Sequence, residues 1–230
     1  MTRERSTTRE RILGASRRLF NEQGYAATPL AEIAGTVGIS TGNLTYHFPA
    51  KRDIVKELGS RARQQYRDAH ATPRSGPIAD TYVELLRFAM EHAWQNRFLL
   101  RDQAQFGEPR FAGRPDPDSV ADIETELAML QRMQTEGMFR ESLDLDLRML
   151  SRSLWIVSRF WMDHLREVEG IDEVTWVDQE RGLQHHFAVL FPCLTAAGRR
   201  AFELALERLA DRHATPAEHR PDLVAEEGAA

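Results

Sequence analysis

The sequence predicts an all-α protein of about nine helices, a four-helix N-terminal section followed by a larger five-helix bundle. Three observations carry that expectation. Apolar residues recur at three- and four-residue steps along most of the chain. No alternating run of β-branched residues interrupts them. Glycine and proline fall mainly between the periodic stretches, where they act as stops.

Ile12, Leu13, Ser16, Leu19 and Phe20 form one stripe of a first helix, opened by a Thr7–Glu10 capping box and stopped at Gly24. Thr28-Pro29 has the form of an N-cap with a first-turn proline. The second helix then turns Leu30, Ile33, Ala34 and Val37 inward and stops at Gly38. Ser40 caps a third helix that runs to Phe48, and Pro49 prevents its continuation. Ile54, Leu58, Ala62 and Tyr66 mark a fourth. The Pro- and Gly-containing stretch 71–77 is the linker, and residues 78–106 form one long helical pattern. A loop is expected over 107–118, then a helix from Ser119 to Glu136. Leu147, Leu150, Leu154, Val157, Ser158, Trp161 and Leu165 define the next, stopped by Gly170. Two more span about 172–191 and 195–212. The expected division is a head at 1–50, a connecting helix at 51–71, a body at 78–213 and a disordered tail at 214–230.

At 230 residues the chain can bury a sizeable core. No apolar run approaches the ~18 residues of a membrane span, and the polar N-terminus predicts no signal peptide. The single cysteine, Cys193, excludes an intrachain disulfide, fits a reducing cytoplasmic setting, and sits in an apolar context that favours an inert thiol. The net charge of −5 is uneven: residues 1–60 carry +3 and the remainder −8. A small basic module on an acidic body suggests an anionic partner for the N-terminal end.

Residues 28–48 are two short helices joined by a glycine turn, the form of a helix-turn-helix. Ile33, Ala34, Val37, Ile39 and Leu44 supply the contact between them. The outer face of the second then holds Thr41, Gly42, Asn43, Thr45, Tyr46 and His47. It has no acid, and its side chains are small or hydrogen-bonding, which suits close approach to base edges in a major groove.

The run Gly42-Asn43-Leu44-Thr45-Tyr46-His47-Phe48 with Lys51 resembles the recognition-helix signature of the TetR family of bacterial regulators. Residues 28–34 and 37–40 resemble the preceding helix and turn, and Arg11-Ile12-Leu13, Leu19-Phe20 and Gly24-Tyr25 the first helix. The resemblance implies a three-helix helix-turn-helix head for double-stranded operator DNA, joined by a fourth helix to a five-helix effector-binding and dimerisation bundle. It also implies a homodimeric repressor released by a small molecule. By the motif, Thr28, Tyr46, His47 and Lys51 would contact phosphate, while Ser40, Thr41, Gly42, Asn43 and Thr45 would face the DNA at the start of the helix. Thr45 stands where many members carry an aromatic. Lys51 could instead be a solvated lysine, Thr28 a plain N-cap, and His47 a bridge between helices. An activator of the same fold, or a helical protein-interaction module, are the other readings.

For the effector, His92, Trp94, Arg97, Phe98, Arg101, Gln105, Trp155, Arg159 and His164 ride on otherwise apolar helices, so a mainly apolar ligand oriented by Arg159 or Arg101 is expected. Plain core aromatics are the alternative. His186, Phe187, Leu190, Phe202, Leu206 and Leu209 on the last two helices are the candidate dimer contacts. No histidine pair shows trustworthy metal-ligand spacing, and no nucleophile, phosphate-loop or cofactor fingerprint occurs, so neither metal, cofactor nor enzyme activity is expected.

Overall fold

The computed structural model describes residues 7–72, 74–106 and 117–213. Among them there is no strand, only an isolated bridge between Phe139 and Leu194. The expected loop and tail, and the basic residues Arg3 and Arg5, lie almost wholly outside the described residues.

The head is built from α1 (Thr8–Gln23), α2 (Leu30–Val37), α3 (Thr41–His47) and the first half of α4 (Lys51–Ala71). Thr7 caps α1, its hydroxyl accepting from Glu10 N at 3.2 Å, while the Glu10 carboxylate, expected to complete the capping box, accepts from Arg61 instead. The second helix departs from expectation: it begins at Leu30 with Pro29 as N-cap, and Thr28 lies outside it. Gly38 takes φ 74° and ψ 39°, the left-handed conformation that closes α2. Ile39 N then bonds Ala34 O at 3.0 Å, which turns the chain into α3. Ile12, Phe20, Ile33, Leu44 and Ile54 are all fully buried in one apolar cluster between these helices.

The body contains α5 (Ile78–Gln95), α6 (Arg97–Arg101), α7 (Pro117–Thr135), α8 (Leu147–Glu167), α9 (Trp176–Leu190) and α10 (Ala196–His213). The predicted single helix over 78–106 is broken at Asn96. The cause is a residue of α1: Asn21 Nδ2 donates to Gln95 O at 2.8 Å, and Asn21 Oδ1 accepts from Phe98 N at 3.1 Å. One side chain thus satisfies the end of α5 and the start of α6. The bend sends Phe98 into the head cluster, 5.3 Å from the ring of Phe20.

The body core gathers Tyr82, Leu130, Met133, Leu154, Leu190 and Phe202. The candidate dimer contacts fall in or against this cluster. His186, Phe187, Leu190, Phe202 and Leu209 are buried within their own protomer, and Leu206 is partly buried against them. Their apolar stripes help close this chain's core. Among the described residues, Met149, Ile156 and Phe160 stand 66%, 52% and 44% exposed along one face of α8, and Val120 on α7, Val168 just past α8 and Val177 on α9 are exposed as well.

Candidate nucleic-acid interface and body cavity

Helix α3 stands at the surface with one buried anchor, Leu44. Ser40 Oγ accepts from Asn43 N at 3.1 Å and fixes the first turn. Thr41, Gly42 and Asn43 are exposed, and Tyr46 is 84% exposed. Thr45 is partly buried and returns its hydroxyl to Gly42 O at 3.1 Å. His47 is partly buried, its ring edge-on to Tyr46 at 5.5 Å. A tyrosine left this far outside a well-formed core has no structural task in the protomer, and the face it shares carries no acid.

Two of the expected phosphate contacts have partners within the head. Thr28 is fully buried, and its hydroxyl donates to Gly24 O at 2.8 Å. Lys51 Nζ donates to Tyr25 O at 2.6 Å and Thr28 O at 2.9 Å, over the ring of Tyr25. Partial burial pushes its pKa down. Arg9 and Arg11 behave alike: Arg9 donates to His47 O at 3.1 Å, and Arg11 to Val37 O. These cations tie helix ends together. Arg52, the second residue of α4, is exposed at the same end of the helix. Its position next to Lys51 was the available signal.

The expected effector residues do not converge. Phe98 is head core, and Arg101 donates to Phe20 O, to Asn21 O at 3.0 Å and to Asp102. The Arg101–Asp102 pair and the Tyr25 N–H, 2.8 Å away, hold the Asp102 carboxyl below its ordinary value against the cost of burial. Trp94 packs edge-on to Trp176, with Arg97 stacked on it at 4.3 Å. His164 stacks on Trp161 and reaches Glu169 at 3.4 Å. Arg159 lies beside Phe160 with one buried nitrogen unpartnered. Gln105 is exposed.

Trp155 does line a cavity. It lies between α4, α5, α7 and α8, is partly open, offers about 60 Å³, and is bounded by Tyr66, His70, Tyr82, Asp122, Glu126 and Ser158 with Thr125 and mainly apolar neighbours. His92 stands behind Tyr66, 5.5 Å ring to ring. Tyr82 Oη bonds Glu126 Oε1 and lies 2.7 Å from His186 Nε2, and His186 Nδ1 lies 2.9 Å from Ser158 Oγ. Burial raises the Glu126 pKa to about 7 and lowers that of His186 to about 3. His186 is therefore neutral and carries a single ring proton. When Glu126 is ionised, the bonds must run Ser158 to His186 to Tyr82 to Glu126. When it is protonated, the same chain can reverse. Tyr66, His70, Asp122 and Glu126 were missed because no single helix pattern shows them meeting.

Among the described residues no group of His, Cys, Asp and Glu could hold a metal ion, and no helix is long and apolar enough to cross a membrane.

Residues 12–58 match the family described as bacterial regulatory proteins, tetR family, and residues 63–202 match the one described as bacterial transcriptional repressor. The HTH-type transcriptional repressor KstR2 of Mycolicibacterium smegmatis is 26% identical over 171 residues, 68% of this chain and 80% of that protein. The HTH-type transcriptional regulator AcrR of Shigella flexneri is 40% identical over 55 residues, so the chain spans only 26% of that relative's length. A crystal structure of a TetR-family transcriptional regulator from Marinobacter aquaeolei VT8 has the same fold, with a TM-score of 0.73 at 23% identity over 88% of this chain and 98% of that one.

Proposed function

The chain belongs to the TetR family of bacterial transcriptional regulators, and from that premise we propose that it is a homodimeric repressor that binds operator DNA through α3 and is released by a small molecule entering the body. The observation that carries this reading is the acid-free outer face of α3, where Tyr46 is 84% exposed while the other large apolar side chains described in the head are buried or partly buried. Asn43, Thr41 and Gly42 face bases, with Thr45 at their edge. Tyr46, His47 and Arg52 meet phosphate, and Ser40 fixes the helix start. Lys51 and Thr28 act from beneath by holding the head together.

A single helix-turn-helix contacts too few bases for specificity, and two copies read a palindrome. The second copy sits on the α8 face of Met149, Ile156 and Phe160, three exposed apolar side chains that share one side of that helix. The effector enters the cavity of Tyr66, Glu126 and Trp155. Pockets for drug-sized ligands run to about 300–1,000 Å³. A molecule larger than a few waters therefore enters only by moving helices, and such an occupant has different affinity for the two states.

The test is a gel-shift titration against the DNA upstream of the gene at two salt concentrations, with wild type and Tyr46→Ala. Sequence-specific retention that weakens as salt rises, and weakens further in the variant, supports the reading. No retention would favour the helical interaction module, and a reporter rising with protein level would mark an activator.

A further inference from the structure

The body cavity has a sign. Its lining holds two carboxyl groups, Asp122 and Glu126, and neither lysine nor arginine. The titratable groups that face Glu126 are Tyr66 and His70 from α4, Tyr82 from α5 and Asp122 from its own helix, with His186 of α9 behind Tyr82. None is cationic at neutral pH: burial and nearby Arg74 lower the pKa of His70, burial lowers that of His186, and burial with the neighbouring carboxyls raises both tyrosines. The arginines that sequence reasoning offered to an anionic ligand are elsewhere, Arg101 on the backbone of α1 and Arg159 beside Phe160. An anion in this space would meet two carboxyls, and no lysine or arginine lines it.

The remaining features agree. Both ring nitrogens of His70 are buried without a partner, so this neutral ring offers an unused acceptor at the cavity wall. Glu126, Asp122 and His70 make three acceptor groups, the number of N–H donors on a primary ammonium. Tyr66 and Trp155 add aromatic rings, whose faces attract cations.

Resting on the effector reading above, we propose that the ligand is a protonated organic amine on a small apolar body, its ammonium held by Glu126 and Asp122 with His70 as third acceptor and its body against Tyr66 and Trp155. Binding fixes Glu126 as carboxylate. The hydrogen-bond chain through Tyr82, His186 and Ser158 then runs in one direction only, which carries the state of the cavity to α8 and α9.

The experiment compares 2-phenylethylamine, 2-phenylethanol and 3-phenylpropanoate by isothermal titration calorimetry at pH 6 and pH 8, with operator affinity measured in parallel. The expected order is amine first, at least tenfold ahead of the alcohol, with the carboxylate weakest. An alkylammonium stays protonated across this range, much as lysine does. With its pKa about 7, Glu126 is ionised roughly tenfold more at pH 8 than at pH 6, so amine affinity should rise by about that factor. Glu126→Gln should remove most of the amine affinity, its pH dependence and its advantage over the alcohol. Asp122→Asn, a second variant in case the first folds poorly, should also weaken the amine selectively. The proposal is overturned if the alcohol or carboxylate binds as well as the amine, if both variants keep wild-type amine affinity, or if the amine does not bind. Should the alcohol or carboxylate bind and release operator, the cation class fails and the ligand-responsive repressor stands. Should the amine bind through Glu126 without changing operator affinity, the site stands and the effector reading fails.

Discussion

Lys51 Nζ lies 2.9 Å from Thr28 O, and the same ammonium holds Tyr25 O at 2.6 Å, so the first residue of α4 is tied to the segment entering α2. Lys51→Met should therefore lower head stability by about 1–3 kcal/mol, since a charged donor is removed from two carbonyls. Urea denaturation followed by Tyr fluorescence checks this. Unchanged stability together with a shallower salt dependence of DNA binding would return Lys51 to the phosphate contacts.

Arg52→Ala and Tyr46→Ala should behave in the opposite way. Both side chains are exposed, so stability should stay within about 0.5 kcal/mol of wild type. Operator affinity should fall for all sequences, with the log–log salt slope reduced by about 0.9 for the lost arginine contact. Asn43→Ala should instead relax preference at one base position, by about 1–3 kcal/mol. Fluorescence anisotropy with a panel of single-base operator variants separates the two patterns.

The buried pair on the Tyr82 chain gives a pH signature. His186 has a folded pKa of about 3 against 6.5 ordinarily, so the unfolded chain binds the extra proton and stability rises with pH between those values. Glu126 is raised from 4.5 to about 7, so the folded state binds the extra proton and stability falls with pH across that window. Between about pH 4.5 and 6.5 the two slopes oppose each other and largely cancel. Tyr66, His70 and Asp122 are unaltered in the comparison. In Glu126→Gln the opposing slope is gone, and stability should climb with pH through this window by up to about 1.4 kcal/mol per unit. Denaturant midpoints at pH 5 and 6.5 test this, and equal slopes in variant and wild type would count against it.

The uncovered face of α8 makes the oligomer testable without touching the core. Ile156→Glu or Phe160→Glu places a charge among exposed apolar groups and should convert a dimer to a folded monomer. Sedimentation velocity reads the mass and circular dichroism the helix content. Substituting Phe202 should unfold the protomer rather than separate protomers, because its ring is fully buried.

Gly198 sits at the start of α10, where an added methyl would stand 2.6 Å from Met138 O. Backbone cannot yield as a flexible side chain can, so Gly198→Ala should cost about 1–3 kcal/mol. Its melting temperature should fall without loss of DNA sequence preference.

Much of this molecule is legible in periodicity and punctuation. The stripe Ile33, Ala34, Val37 with Gly38 and the Ser40 cap fixes α2 and α3 to within a residue or two, because every interaction involved is local. The break at Asn96 was not legible, since its partner Asn21 lies 74 residues from Gln95 in sequence. The same limit hid the cavity: a helical pattern tells which side of α7 is inward, but not that Glu126 will face Tyr82 across it. An apolar stripe also cannot say whose core it completes, so His186 and Phe202 suited an interface as well as an interior. Counting charges marks residues 1–60 as a basic module, yet Arg9, Arg11 and Lys51 within it each have a carbonyl partner that only the fold supplies.

Helix α4 belongs to both halves of the molecule. Ile54, Val55 and Leu58 are embedded in the head, while Tyr66 and His70 wall the cavity. A rod of 21 residues spans about 31 Å, and a tilt of 5° imposed at one end displaces the other by roughly 3 Å. Lengthening α4 by one residue would also rotate everything beyond it by about 100°, swinging Tyr66 away from Glu126 while both halves stayed individually intact. The length of this helix is thus under mechanical constraint along its whole course. Insertions there should uncouple lever from load, and compensation would require a full turn rather than a single residue.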